Sequence, residues 1–460
     1  MRIEKDGLGE LSIPEDVYYG IQSFRASKNF PISGTQVHPE LIKTFLLLKR
    51  ACAVANEKAQ VLDNEKSTAI QDAVDKLLGE DYLKHFIVDA YQAGAGTSQN
   101  MNANEVIANK ANVLLGGGLG TYDHIHPNDH VNMSQSTNDT YPTAMRLATL
   151  NLSKQLVLEL QRLSHAFKDK AQEFDLVIKS GRTHLQDAVP IRLGQEFGAY
   201  ETTIDHLIEI LIYSQDYLRE LGLGGSAVGT GINVPHGFRD YALIELQEYF
   251  EDEDLHMAEN MCSAMQSQLP MMVFSNALRV IALELTRICN DLRLLSSGPA
   301  NGLGEINLPS TQPGSSIMPG KVNPSILEMA NQVFYKVLGN DQAMAYAIQA
   351  GQLELNVMMP VMAQLALEST HILTNTLKTL RELCINDIEA NVEVCAKYAA
   401  QTSQIVTALN PVIGYAKAAE LTKESLRTKK TVIELVREQG LLSEDQIKDL
   451  LDPKKLTVPH

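Results

Sequence analysis

The segment from residue 314 to 324 carries the residue types of a base or a nucleophile. It reads Gly-Ser-Ser-Ile-Met-Pro-Gly-Lys-Val-Asn-Pro, with Ser315, Lys321 and Asn323 as its reactive or hydrogen-bonding side chains. Glycine supplies unusual backbone angles and can act as a hinge, so this segment is the best candidate for a mobile loop. A serine held among backbone N–H groups and a lysine ionises more easily than a free hydroxyl and can act as a base or a nucleophile.

Three further polar segments each precede a predicted helix. They span residues 94–100, 134–140 and 181–187, and their candidate binding residues are Thr97, Ser136, Thr137, Asn138, Thr183 and His184. Capping needs one Ser, Thr, Asn or Asp per helix, whereas these segments carry several each. Because a helix N-terminus presents free N–H groups and a partial positive charge, several of them together would bind a dianion.

Two residues near these segments allow both a structural and a functional interpretation. His184 is either a buried histidine with satisfied hydrogen bonds or a functional group, and its place before a predicted helix favours function. Glu328 lies one turn into the helix predicted after Lys321. It either orients a histidine or complements the helix N-terminus.

The charge balance limits the partners. The 460 residues carry a formal net charge of −17, which argues against nucleic acid and against an anionic membrane. An anionic substrate therefore requires a local positive field. Five scattered cysteines predict reduced core thiols in a cytoplasmic protein. We find neither a signal-peptide pattern nor an apolar run long enough to span a bilayer.

Long helices must position these segments. The clearest pattern runs from Met271 to Leu295, and similar patterns cover 141–173, 190–221, 325–350 and 353–383. Several such helices with short connections predict an elongated bundle. Strand signals are sparse, and the first ~35 residues are predicted to be irregular. Capping boxes at Thr431 and Ser443 predict short helices in a small C-terminal unit.

Three other sequence patterns give little support for a phosphate, dinucleotide or metal site. Gly314 to Lys321 differs from a P-loop in its glycine spacing and in Val322. The glycines from 222 to 231 do not follow the dinucleotide-binding spacing and are predicted to form a loop between helices. His124, His126 and His130 lie in a predicted loop, where neighbouring histidines are more often structural or exposed than metal ligands.

The 314–324 segment is similar to the signature of the fumarase/aspartase superfamily, and the resemblance covers essentially the whole chain. It includes Arg2–Asp6, Asn340-Asp341 and Glu354–Val357. The resemblance implies an all-α fold of three domains, expected at 1–136, 137–392 and 393–460, with a central long-helix bundle. It also implies a homotetramer with a twenty-helix core and active sites shared by three subunits.

Small differences make the chain more similar to the aspartase branch than to the fumarase branch. They lie at Gly94–Ser98, Gln135–Asp139, His130, Cys289–Pro299 and Gly351–Leu355. The implied activity is a carbon–nitrogen lyase that deaminates L-aspartate reversibly to fumarate and ammonia. One departure is Ala300-Asn301, where the family usually has Arg after Ser-Gly-Pro.

The resemblance also assigns roles. Ser315 is the general base, and Thr97, Ser136 and Thr137 stabilise an enediolate intermediate. Lys321 and Asn323 bind the other carboxylate. Near the reacting carboxylate stands His184, which Glu328 orients, while Thr183 and Asn138 position the amino group or a carboxylate. No organic cofactor or catalytic metal is implied, although an accessory Mg²⁺ is compatible with the family.

Three alternatives stay open. A class II fumarate hydratase would convert malate to fumarate and water on the same fold. A relative acting on an N-substituted aspartate, such as argininosuccinate or adenylosuccinate, shares the loop chemistry. A non-catalytic dicarboxylate-binding or structural tetramer is the third, although such a protein has no need for an activated serine.

Overall fold

The computed structural model describes residues 1–457 and is dominated by helices. Five long ones are α5 (Thr137–Glu173), α6 (Leu193–Leu218), α9 (Leu269–Leu295), α10 (Ser325–Gln349) and α11 (Met359–Leu383). The shorter helices are α1 (Ile21–Asn29), α2 (Pro39–Lys58), α3 (Asn64–Leu78), α4 (Thr97–Leu114), α7 (Phe238–Phe250), α8 (Met261–Gln266), α12 (Val392–Gln401), α13 (Asn410–Ile413), α14 (Tyr415–Thr428), α15 (Val432–Glu438), α16 (Glu444–Leu450) and α17 (Pro453–Leu456). The all-helical prediction is confirmed.

The strands within residues 1–457 form two-stranded pairs only. They are β1 (Arg2–Asp6), β2 (Gly9–Ile13), β3 (Ile178–Thr183), β4 (Gln186–Arg192), β5 (Glu220–Leu221), β6 (His256–Met257), β7 (Ile306–Asn307) and β8 (Glu389–Ala390). β1–β2, β3–β4 and β7–β8 are antiparallel, and β5–β6 is parallel. Two-stranded pairs cannot form a core by themselves, so helix packing must supply it.

The helix α9 shows why the long helices form where the apolar pattern predicts them. Its apolar stripe is buried and comprises Phe274, Leu278, Ile281, Leu285, Ile288 and Leu292. By length and composition α9 also meets the criterion for a membrane span, contrary to the sequence prediction. A core helix of a soluble protein meets the same criterion, and half of the most apolar stretch of α9 is buried within the protein.

The chain divides into two compact units. Unit 1 comprises Met1–Val157, Glu209–Ala282 and Tyr335–Thr374, and unit 2 comprises Leu158–Ile208, Leu283–Phe334 and Asn375–His460. In unit 2 the C-terminal helices share an apolar cluster that includes Leu409, Leu421, Leu435 and Val436. Both predicted capping boxes are present there, at Thr431 and Ser443. The three-domain division at 136 and 392 stays a prediction.

Two stretches predicted without strands contain them. The N-terminal segment forms the β1–β2 hairpin and then α1, so the prediction of irregular structure was wrong. Residues 181–187 belong to the β3–β4 hairpin, and the helix predicted from 190 begins only at Leu193. His184 and Leu185 both have positive φ, as the central residues of a type I′ turn require.

The helix α5 begins earlier than its apolar pattern indicates. Thr137 is its first residue, and Pro142 lies inside the helix rather than in its first turn. The polar residues of the 134–140 segment therefore occupy the helix N-terminus itself. The N–H groups of Asn138, Asp139 and Thr140 bond to the hydroxyl or the carbonyl of Ser136. What this helix start can offer an anion is therefore its partial positive charge and the hydroxyl groups of the segment.

Gly96 fixes how α4 begins. Its φ of +82° is a left-handed conformation, and a Cβ at this position would overlap the Tyr141 ring of α5. Only glycine satisfies both conditions. The backbone at the start of α4 therefore packs directly against α5 in unit 1.

Replacing this glycine should cost more than strain alone. Gly116 has the same φ of +82°, but a Cβ there would meet nothing within 4 Å. We expect Gly116→Ala to lower the free energy of unfolding by about 1 kcal/mol, and Gly96→Ala to lower it by roughly 3 kcal/mol or more because overpacking adds to the strain. Equilibrium urea unfolding measures both, and equal losses would contradict the packing of α4 on α5.

Candidate active site

Ser136, Thr137 and Asn138 lie together at the N-terminus of α5 in unit 1. The Asn138 backbone N–H donates to the Ser136 hydroxyl over 3.2 Å, and the Ser136 N–H donates to the Asp139 carboxylate over 2.9 Å. The Asn138 side-chain amide donates to the Ala227 carbonyl over 2.8 Å. These bonds hold the three predicted binding residues in one short segment.

Asp139 ties this segment to the glycine-rich loop at residues 222–237. Its buried carboxylate accepts hydrogen bonds from the backbone N–H groups of Gly224, over 3.1 Å, and Ser226, over 2.9 Å. Burial raises the pKa of Asp139 to about 6, against the opposing effect of the backbone donors and of Lys49. The sequence prediction missed this role, although an acidic residue three positions after a serine is a capping signal.

Asn100 connects the starts of α4 and α5. Its side-chain amide donates to the Thr137 hydroxyl over 3.0 Å, and its oxygen accepts from the Thr140 hydroxyl over 3.3 Å. Thr97, the first residue of α4, has an exposed side chain. The structure therefore brings Thr97 and the 136–138 segment to two neighbouring helix N-termini, where donors and partial positive charge favour an anion.

Ser315 lies in the predicted loop, in unit 2. Its hydroxyl oxygen accepts hydrogen bonds from the backbone N–H groups of Ile317, over 3.3 Å, and Met318, over 3.0 Å. Donors aimed at this oxygen stabilise it more when it carries a negative charge. The same two donors would stabilise an alkoxide at this position, and the role of Ser315 as the base stays a prediction.

The same loop folds back on itself at Gly314. The Asn323 side-chain amide donates to the Gly314 carbonyl, and a Cβ on Gly314 would overlap the Lys321 carbonyl. Gly314 is thus required by close approach of two backbone segments. Ser315, Asn323 and the exposed Lys321 all belong to this closed loop.

Thr183 and His184 lie at the exposed tip of the β3–β4 hairpin, also in unit 2. Next to this tip Arg182 donates to both oxygens of the fully buried Glu305, each over 2.9 Å. Lys179 pairs with Glu305 over 3.0 Å and with Glu196 over 2.8 Å. Two cations and two carboxylates thus form a buried network that the sequence analysis missed, because its members are up to 126 residues apart (179 to 305).

Glu328 lies in the first turn of α10, as predicted, and its carboxylate is 3.9 Å from the Arg293 guanidinium. Its orientation of His184 stays a prediction. Of the predicted site residues, unit 1 holds Thr97 and the 136–138 segment. Unit 2 holds the Ser315 loop, with Glu328 just after it and Thr183 and His184 on a separate hairpin.

The histidines near residue 126 cap backbone rather than face a metal. His126 Nδ1 accepts from the N–H groups of Asn128 and Asp129, and His130 Nδ1 accepts from the His126 N–H over 2.9 Å. Within residues 1–457 no group of three or more His, Cys, Asp or Glu residues is arranged to hold a metal ion.

All five cysteines are free, and Cys262 is exposed, so the prediction of core thiols was wrong for this residue.

Comparison with known proteins fits this arrangement. Residues 9–339 match the family described as Lyase, and residues 405–458 match the Fumarase C C-terminus family. The chain belongs to the lyase family, and its resemblance to the fumarase/aspartase superfamily is confirmed.

Individual relatives show to which lyases the chain is similar. The chain is 46% identical to the aspartate ammonia-lyase of Helicobacter pylori, over 100% of this chain and 98% of that protein. A crystal structure of fumarate lyase:delta crystallin from Brucella melitensis bound to cobalt matches with a TM-score of 0.97, 47% identity and complete coverage of both chains. A class II fumarase from Schistosoma mansoni matches with a TM-score of 0.95 and 33% identity, covering 100% of this chain and 99% of that one.

Loss of one carboxylate from the buried charge network beside the β3–β4 hairpin should destabilise the fold. Glu305→Gln leaves two buried cations with a single carboxylate, so we expect the free energy of unfolding to fall by about 3–5 kcal/mol. Glu438→Gln, which removes the exposed partner of Lys430 in the same unit, should leave the free energy of unfolding almost unchanged. Urea unfolding measures both variants, and a small, equal loss would show that the network does not hold the hairpin.

Proposed function

We propose that the chain is an aspartate ammonia-lyase, which converts L-aspartate reversibly to fumarate and ammonia. The observation that carries the proposal is the pair of backbone N–H groups aimed at the Ser315 hydroxyl oxygen. A binding protein has no need of a stabilised serine alkoxide. Relatives at 44–46% identity over the full chain are named for this activity.

In the first step Ser315, as an alkoxide, removes a proton from the carbon beside one carboxylate of L-aspartate. This proton is weakly acidic, because the carbanion must spread its charge into a group that is already anionic. The C–H electron pair moves into that carboxylate and gives an enediolate with two negative oxygens. Catalysis therefore depends on stabilising the added charge.

The donors for this charge are those at the two helix N-termini of unit 1. Thr97, Ser136 and Thr137 offer hydroxyl groups, and the first turns of α4 and α5 offer partial positive charge. Neutral donors held in place by hydrogen bonds reorganise little during the reaction. They also suit a protein of net charge −17, which must build its positive field locally.

The remaining residues bind and orient the substrate. Lys321 and Asn323 bind the second carboxylate, and His184, oriented by Glu328, lies near the reacting one. Thr183 and Asn138 position the amino group or a carboxylate. The electron pair of the enediolate then forms the carbon–carbon double bond, and the carbon–nitrogen bond breaks. The protonated amino group of the substrate takes the electron pair of that bond and leaves as neutral ammonia.

We propose that the protein is a homotetramer with a twenty-helix core and active sites that combine residues of three subunits. Apolar side chains exposed along the long helices support this assembly, because large exposed apolar surfaces mark interfaces. They include Ile210, Ile212, Leu283, Leu294, Tyr335 and Tyr346.

We further propose a cytoplasmic enzyme that requires no organic cofactor, with Mg²⁺ as an accessory ion at most.

The second candidate function is fumarate hydration, in which water replaces ammonia. The class II fumarase fold match favours it, but at 33% identity, against 44–46% for the aspartate ammonia-lyases. The same base and enediolate would serve both reactions. The two are therefore separated by the leaving group, which the residues near the amino group must select.

Ser315→Ala should fold and assemble as the parent protein does, yet lose fumarate formation from L-aspartate by roughly 1,000-fold or more, because the base is absent. The neighbouring Ser316→Ala is the matched control and should keep its turnover. Absorbance of fumarate measures both rates, and light scattering measures assembly. Substantial turnover in Ser315→Ala would remove this residue as the base.

Lys321→Ala should raise KM for L-aspartate by about 100-fold and lower kcat, since one carboxylate loses its cation. Lys321→Arg keeps the charge and should recover part of the loss. Steady-state kinetics, with light scattering on the same samples, separates the possibilities. Loss of the tetramer in Lys321→Ala would instead make the lysine structural.

A further inference from the structure

Lys49 is a fully buried lysine of α2, in unit 1, with no place in the mechanism above. Its ammonium donates to the Asn132 side-chain oxygen over 3.0 Å and to the Gln135 side-chain oxygen over 2.8 Å. These partners are neutral amides rather than carboxylates. Burial lowers the pKa of Lys49 to about 8, although Cys52 and the Asp139 carboxylate act in the opposite direction. A charge buried at such a cost needs an explanation.

The ammonium fixes which way the neighbouring amides face. An ammonium has three donors and no acceptor, so only the oxygen of an amide can face it. The Asn132 oxygen so placed also accepts from the side-chain amides of Asn100 and Asn104, each over 3.1 Å. Asn100 must therefore present its NH₂ group, and not its oxygen, on this side.

The direction set at Asn132 reaches the proposed substrate site through Asn100. The same Asn100 NH₂ group donates to the Thr137 hydroxyl oxygen over 3.0 Å, while its own oxygen accepts from Thr140. A hydroxyl has one proton. Because the Thr137 oxygen is the acceptor toward Asn100, its proton is free to point away from the protein interior.

We propose that Lys49 is a positioning residue that fixes the hydrogen-bond direction from Lys49 through Asn132 and Asn100, so that Thr137 donates its proton to an anionic oxygen of the substrate. The inference rests on the proposed function, which places Thr137 against the enediolate. It assigns to the buried charge a purpose that simple stabilisation does not, since an apolar side chain would fill the space at lower cost.

The test is a double-mutant cycle, because a purely structural lysine would act regardless of Thr137. Lys49→Met should lower kcat/KM for L-aspartate by ~10- to 100-fold in the parent protein and cause no further loss in a Thr137→Val background. Lys49→Arg keeps the donors and the charge and should retain most of the activity. Lys110→Met, which removes another buried lysine of unit 1 that pairs with Glu80, should change kcat/KM by the same small factor in both backgrounds.

Succinate binding by calorimetry gives a second readout that needs no turnover. Lys49→Met should weaken succinate binding in the parent protein and leave it unchanged in Thr137→Val. If the parent makes no fumarate from L-aspartate but shows this pattern, the proposed function fails and the positioning role stands. If the parent neither turns over L-aspartate nor binds succinate, both proposals are wrong.

Should Lys49→Met fail to assemble, Asn100→Asp provides the same test. This variant keeps the shape of the side chain but replaces the donor to Thr137 with an acceptor. Its effect on kcat/KM should also vanish in the Thr137→Val background. Equal losses in both backgrounds, for either variant, would overturn the proposal.

Discussion

The site depends on the partial positive charge and the hydroxyl donors at the starts of α4 and α5. A chain of net charge −17 is proposed to bind a dianion and then to add charge to it. Solvent and salt screen the attraction between an exposed cation and an anion. The partial positive charge at a helix start, in contrast, is fixed in place by the backbone. Gly96 lets α4 begin against Tyr141, and Asn100 joins the two helix starts.

The rest of unit 1 near these starts serves to keep the donors in place. Asp139 binds the glycine-rich loop to the start of α5, and the carbonyl of Ala227 in that loop holds the Asn138 side chain. In unit 2 the polar groups are held by two other features. One is the buried charge network beside the β3–β4 hairpin, and the other is the loop closed by Gly314 and Asn323. The network of unit 2 contains two cations and two carboxylates, so it adds no net charge.

The sequence predicted what depends on local pattern. The stripe of α9 gave its helix almost to the residue, and the serine loop was recognised because Gly314, Ser315 and Lys321 are consecutive or nearly so. The β3–β4 hairpin was missed because His184 and Leu185 are unusual residues for a type I′ turn, so the local sequence carries no turn signal there. Lys49 was missed because its partners Asn132 and Asn100 are distant in sequence; its position among the apolar residues of α2, beside Leu46 and Cys52, was the available signal.

The most direct test of the central claim is to mix the purified protein separately with L-aspartate and with L-malate and to record the absorbance of fumarate. The account predicts rapid fumarate formation from L-aspartate and none from L-malate at the same protein concentration. Fumarate formation from L-malate alone would contradict this account, because the leaving group would then be water rather than ammonia. The sequence identity to the aspartate ammonia-lyases would in that case not reflect the reaction catalysed. The fold and the catalytic serine would then remain, attached to a different reaction.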